Sequence, residues 1–182
     1  MDTSGTDISG QPASPPRAAD AVTILYAQHA VGLIKLAYIT LGDRPGAEDV
    51  VQEAFLGLYR HWDRLTDQAN ALTYVRSAVL NNCRAVLRYQ VRRERRDRAT
   101  AIDESLSAGS PEAAVLLTEE HEEVLAAVRR LPARQREALI LRVYLGLSPD
   151  EAAQVMGISP GTVKSATSRA IATLGATLKE ES

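Results

Sequence analysis

Apolar residues recur along most of this chain at helical rather than alternating intervals. Ile24, Leu25, Leu33, Leu36, Ala37 and Leu41 predict a first helix, which stops at Leu41-Gly42 ahead of Pro45. A second, from about Gly46 to Trp62, gathers Val50, Val51, Ala54, Phe55, Leu58, Tyr59 and Trp62 on one face. Asp49, Gln52, Glu53 and Arg60 lie on the other. A polar turn near Thr66 to Asn70 precedes a long helix from about Ala71 into an arginine cluster. Leu72, Val75, Val79, Val86 and Leu87 point inward along it, while Arg84, Arg88 and Arg92 repeat every fourth residue on one stripe. Three helices with short links predict a compact bundle over residues 21–98.

The pattern fades in residues 99–114, where Gly109, Ser110 and Pro111 interrupt an aperiodic stretch that reads as a flexible linker. Sixteen such residues at about 3.4 Å each reach roughly 55 Å, so two modules could sit well apart on one long partner. Residues 1–20, rich in Ser, Thr, Pro, Gly and Asp, cannot repay the entropy of ordering and read as a loose tail. Residues 179–182 form a short second tail. The second module, residues 115–178, begins near Val115, continues through Val124, Leu125, Val128 and Leu131, and breaks at Pro132. A helix from Ala133 carries Ala138, Leu139, Leu141 and Val143 and closes at Gly146.

The most informative local stretch is Ser148 to Leu174. Ser148, Pro149 and Glu151 stand as N-cap, first and third helical positions, so Ser148 and Glu151 can satisfy each other's unpaired backbone donors. Gly157 permits the left-handed backbone that ends this helix, and Ile158 plugs the corner. Ser159-Pro160 starts a second helix. Val163, Ala166, Ala170 and Leu174 face inward, and Thr162, Lys164, Ser165, Ser168 and Arg169 are left outward. This is the pattern of a helix-turn-helix. Short hydroxyls and two cations, with no acid between Ser159 and Leu178, allow close approach to phosphates and base edges. Arg169 is the better candidate for bidentate base recognition and Lys164 for a phosphate contact. A capped corner whose outward residues merely face water is the bland alternative.

Composition agrees with an all-α chain. In 182 residues, 45% are apolar and only 4% aromatic, with Gly 11 and Pro 8, so sheet-rich, collagen-like and wholly disordered classes lose their weight. No apolar run approaches the roughly 18 residues of a membrane span, and no secretory signal opens the chain. A cytoplasmic protein without a membrane partner is expected. The lone Cys83 leaves no disulfide and no thiolate cluster for a metal, and no cofactor is expected. His29, His61 and His121 are scattered, and no catalytic grouping or phosphate loop stands out, so the chain does not read as an enzyme.

The net charge of −2 conceals blocks. Arg84 to Arg98 carries +5, Asp103 to Glu123 carries −7, and Arg129 to Arg142 carries +4. Such segregation points to separate surfaces facing phosphate with an acidic spacer between them. Solvated helix faces would give the same blocks without a partner.

With these residues in hand, about Ala21 to Leu178 resembles the extracytoplasmic-function group of bacterial RNA polymerase sigma factors. One anchor is Ala47-Glu48-Asp49-Val50-Val51-Gln52-Glu53-Ala54-Phe55, similar to the family's second conserved region. The other is Leu131-Pro132-Ala133-Arg134-Gln135-Arg136-Glu137 with Ser148 to Arg169, similar to its fourth. The spacing of Gly157, Thr162, Val163, Lys164 and Ser165 looks most like an actinobacterial, sigma-E-like branch. The large region between the modules of housekeeping sigma factors is lacking, as is normal for the group.

The resemblance implies two small helical domains, a three-helix region-two bundle and a four-helix region-four domain with the helix-turn-helix. It also implies roles. Asp49, Gln52 and Glu53 match positions that dock on the clamp helices of core RNA polymerase, and Arg134 matches the surface facing the flap. Asn81, Asn82, Arg84, Arg88 and Arg92 match the segment that reads and opens the −10 element. Thr162, Lys164, Ser165, Ser168 and Arg169 match the helix that reads the −35 element. The implied partners are core RNA polymerase and promoter DNA, with room for an anti-sigma factor. Trp62 is read as closing the first core rather than stacking on DNA. Two other readings compete: a free-standing helix-turn-helix regulator, which would not need the Asp49, Gln52, Glu53 stripe, and an adaptor that binds polymerase without promoter selectivity, which would not need Arg169.

Overall fold

The structure is a computed structural model that describes residues 18–65, 67–100 and 119–180. Residues 1–17 of the expected tail, Thr66 of the expected turn, residues 101–118 of the expected linker and module start, and residues 181–182 of the expected end tail lie outside the described residues. Residues 18–20, 99–100 and 179–180, expected as tail or linker, belong instead to helices. Among the described residues there are helices and turns but no strand. Helix α1 spans Ala18–Leu41, α2 Arg44–His61, α3 Ala71–Thr100, α4 Glu119–Arg130, α5 Ala133–Leu139, α6 Pro149–Met156 and α7 Pro160–Glu180.

Local chemistry explains the boundaries. Gly42 has φ 77°, a left-handed end for α1. Asp43 caps α2 by accepting a hydrogen bond from the Gly46 amide at 2.8 Å, with Pro45 in the first turn. Two short 3₁₀ turns, Trp62–Arg64 and Gln68–Asn70, connect α2 to α3. The Asp67 carboxylate holds the second by accepting from the Ala69 amide. Helix α5 passes into a π-turn at Ile140–Tyr144, where the Leu145 amide reaches back to the Ile140 carbonyl.

Helices α1, α2 and α3 pack on one another around Leu36, Val51, Leu58, Val75 and Val79, all fully buried. Trp62 is buried with them, as read from the sequence. By length and composition α1 is apolar enough to cross a membrane, which corrects the expectation of no such stretch. That apolar content also suits a core helix, and α1 buries Leu33, Leu36 and Ala37 against its neighbours.

Four apolar positions used to predict the helices are exposed. Ile24 lies nine residues before Leu33, about 180° round a 3.6-residue helix, and faces solvent. Tyr59 is 52% exposed at the edge of the α2 stripe. Val124 is exposed one turn before the buried Ala127 and Val128. Val143 is 64% exposed because the π-turn inserts an extra residue and breaks the four-residue spacing from Leu139.

The two modules do not stand apart. One continuous apolar cluster runs from Leu36 and Leu80 through Leu141 and Met156 to Val163. Helix α3 lies against α6, and the Ser77 hydroxyl donates to the Val155 carbonyl at 3.0 Å. On the far side, α4 meets α1, and the Arg129 guanidinium sits 5.5 Å from the Tyr38 ring centroid.

Candidate nucleic-acid interface

The helix-turn-helix is built as its sequence chemistry requires. Ser148 Oγ accepts from the Glu151 amide, and the Glu151 carboxylate accepts from the Ser148 amide at 2.7 Å, a complete capping box. Hydrogen bonds to the carboxylate from the Ser148 amide, which contributes most, and from the Ser148 hydroxyl hold the Glu151 carboxyl below the usual carboxylate range. Gly157 ends α6 at φ 67°. Ser159 Oγ then caps α7 by accepting from the Thr162 amide. Val163, Ala166 and Ala170 are buried and Leu174 is half-buried.

On the outer side of α7, Lys164, Ser165, Ser168 and Arg169 are exposed and Thr162 is half-buried. Several of these groups are folded onto their own helix. Thr162 Oγ1 and Ser159 Oγ share a 2.8 Å hydrogen bond, and Ser165 Oγ donates to the Thr162 carbonyl. Arg169 donates to the carbonyl and the hydroxyl of Ser165 at 3.2 Å. Lys164 and Ser168 have no partner among the described residues. The surface is thus cationic and hydroxyl-rich, with its guanidinium parked four residues back along the helix.

The α3 residues divide into two sets. Asn81, Arg88 and Arg92 are exposed. Asn82 instead donates its side-chain amide to the Val50 carbonyl of α2 at 3.1 Å. Arg84 forms a fork with Glu137 of α5: Nε to Oε1 at 2.7 Å and an Nη to Oε2 at 2.6 Å, with a further bond to Asn81 Oδ1. The bonds to Glu137 hold the Arg84 guanidinium above its ordinary pKa against the opposing effect of burial. In this conformation Asn82 and Arg84 are occupied by protein partners, so the regular arginine stripe is broken at its first member.

On α2, Asp49, Gln52 and Glu53 form an exposed polar stripe. Glu53 pairs with Arg60 at 3.2 Å, a solvent-exposed contact of little energetic weight. Arg134 is exposed at the start of α5. The sequence reading missed Arg136 and Glu137 as structural residues. Both are buried, Glu137 to 3% exposure, and Arg136 donates to the Arg129 carbonyl at 2.7 Å. A lone acid inside a block of arginines, followed directly by Ala138 and Leu139, was the available signal. Cys83 lies in the same interior, and burial, with Glu137 nearby, pushes its thiol up to about 12, which keeps it unreactive. Among the described residues, no group of three or more His, Cys, Asp or Glu is placed to hold a metal ion.

Comparison with known proteins agrees with this architecture. The Sigma-70 region 2 family matches residues 25–95, and the Sigma-70, region 4 family matches residues 121–174. The ECF RNA polymerase sigma-E factor of Escherichia coli is 33% identical over 151 residues, 79% of this chain and 78% of that protein. The ECF RNA polymerase sigma factor BldN of Streptomyces coelicolor is 32% identical over 170 residues, 90% of this chain; the chain spans 62% of BldN's length. Relatives from both lineages match at a similar level, so the similarity does not single out an actinobacterial branch. Among solved structures, the sigma factor RpoE of Bartonella quintana, crystallised with the anti-sigma factor NepR, superposes with a TM-score of 0.69. It is 26% identical, with 86% of this chain and 96% of that chain covered. CnrH, solved with the cytosolic domain of CnrY, shares the fold at a TM-score of 0.67 and 23% identity, covering 91% and 96%. With both conserved regions in order on a two-module helical fold, the chain belongs to the extracytoplasmic-function RNA polymerase sigma factors.

Proposed function

We propose that this chain is a dissociable specificity subunit that docks on core RNA polymerase and directs initiation at promoters bearing its −10 and −35 elements. It performs no covalent chemistry and acts in the cytoplasm, where polymerase and promoter meet. In this reading the Asp49, Gln52, Glu53 stripe meets the clamp helices and Arg134 faces the flap. Asn81, Arg88 and Arg92 engage the −10 element. Asn82 and Arg84 join them once the modules separate. Thr162, Lys164, Ser165, Ser168 and Arg169 face the −35 element in the major groove.

The observation that carries the reading is the outer side of α7, free of acids as far as Leu178 and exposed on a fully capped helix-turn-helix whose packing does not require it. The polar stripe on α2 favours a polymerase-bound factor over a free-standing regulator, which has no use for a second docking face. An anti-sigma factor is a further partner, by analogy with the RpoE–NepR complex. The packed modules suit a resting form, since Arg84 is turned inward there.

Run-off transcription with core polymerase on a genomic library tests the proposal. Transcripts should begin at a discrete set of sites sharing two spaced elements. No transcript from any fragment with active core enzyme would refute it, and specific duplex binding without core-dependent initiation would favour the free-standing regulator.

A further inference from the structure

The two modules enclose a cleft of about 480 Å³ between α3 and the α5–α6 unit, within the size range of small-molecule sites. Its lining includes four arginines, Arg84 and Arg88 from α3 and Arg134 and Arg136 from α5. Leu87, Met156 and Ile158 add apolar lining. Glu137 is the one acid lining the cleft, and both its oxygens are already engaged by Arg84.

The other three arginines form no ion pair among the described residues, although Arg136 donates to the Arg129 carbonyl and lies near enough to Glu137 to feel its charge. Arg88 and Arg134 are exposed at the cleft with no partner among the described residues. Arg136 is only 8% exposed, its Nε has no hydrogen-bond partner, and burial pulls its guanidinium pKa down. Gathering arginines around one concavity costs mutual repulsion, which an oxyanion relieves, and the planar guanidinium fork matches phosphate geometry.

We propose that this cleft binds a small phosphorylated solute of nucleotide size, its phosphates on the arginines and its organic part against Leu87, Met156 and Ile158. Such a ligand touches both modules at once. Its binding stabilises the packed arrangement over the separated one, by linkage. DNA offers the same phosphate chemistry, but a half-open concavity of about 480 Å³ matches a nucleotide-sized solute rather than a length of polymer.

Isothermal titration of the full chain with ADP, inorganic pyrophosphate and adenosine tests this. ADP and pyrophosphate should bind and adenosine should not. Arg88→Ala with Arg134→Ala, both exposed, should weaken ADP at least about tenfold through lost charge-assisted bonds. Arg64→Ala, a charge removed outside the cleft, should leave ADP affinity unchanged. Equal binding of adenosine and ADP, an unaffected double variant, or an equal loss in Arg64→Ala would overturn the proposal. A short single-stranded DNA that displaces ADP at equal phosphate concentration would assign these arginines to nucleic acid and also overturn it.

Discussion

Arg84 and Glu137 lie 53 positions apart in sequence and close on each other through two parallel hydrogen bonds of 2.7 and 2.6 Å. The pair ties α3 of the first module to α5 of the second and buries the carboxylate almost completely. Removing one member of a buried pair costs about 3–5 kcal/mol when the other charge stays dry. Here the orphaned charge has an escape, because parting the modules would return Glu137 to water.

Arg84→Ala should therefore open the molecule rather than unfold it. Small-angle scattering should show a larger radius of gyration while far-ultraviolet dichroism stays unchanged. Arg84→Met combined with Glu137→Met should restore compactness, because an apolar pair of similar volume carries no desolvation cost. A single variant as compact as the parent would mean the pair contributes nothing to module packing.

Arg169 is parked on Ser165 in the free protein, so its engagement with a base exchanges exposed hydrogen bonds for a bidentate contact. Arg169→Ala should cost about 1–3 kcal/mol at one position of the upstream element. Binding measured against a set of single-base promoter variants will locate that position. A uniform loss across all sequences would make the residue a phosphate contact.

Asp49→Ala with Glu53→Ala should weaken capture of core polymerase. The fold should survive, since both residues are exposed and the Glu53–Arg60 pair is worth no more than about 1 kcal/mol. Pull-down of core enzyme, read beside the thermal midpoint of the isolated protein, separates the two effects. Undiminished capture would remove the α2 stripe from the docking surface.

Ser148→Ala should cost roughly 1 kcal/mol through the lost cap, seen as a lower denaturation midpoint. The same box makes α6 sensitive to acid. Glu151 has its folded-state pKa depressed, so its contribution is complete above the usual carboxylate range and disappears as pH falls through the folded value. Amide exchange at the start of α6 should accelerate over that acidic window. In Ser148→Ala the Glu151 carboxyl should titrate closer to its ordinary range, because the side-chain bond is gone while the backbone donor remains.

What could be read from the sequence was set by short-range chemistry. The Ser148–Glu151 box, the left-handed Gly157 and the Ser159 cap involve partners within three or four residues, so their spacing contains the geometry. The inward rows of α2 and α7 were legible for the same reason. Ile24 and Val143 fall on exposed faces, which a short apolar pattern does not separate from buried ones. The Asn82–Val50 and Ser77–Val155 bonds join distant segments, and nothing in the local pattern distinguishes those polar side chains from exposed ones. The arginine stripe was legible as charge. That its first member faces Glu137 depends on how the modules meet, which no periodicity encodes.

The π-turn at Ile140–Tyr144 acts as a phase setter for all that follows. Deleting one residue there would let an ordinary α-helical ladder form and rotate the downstream chain by about 100°. Arg142, which donates to the Leu147 carbonyl across this bend, would lose its acceptor, and α6 would leave the bundle at another azimuth. The length of this bend is thus fixed more tightly than its side chains, and single-residue indels there should be far less tolerated than substitutions at the solvent-facing Val143 or Tyr144.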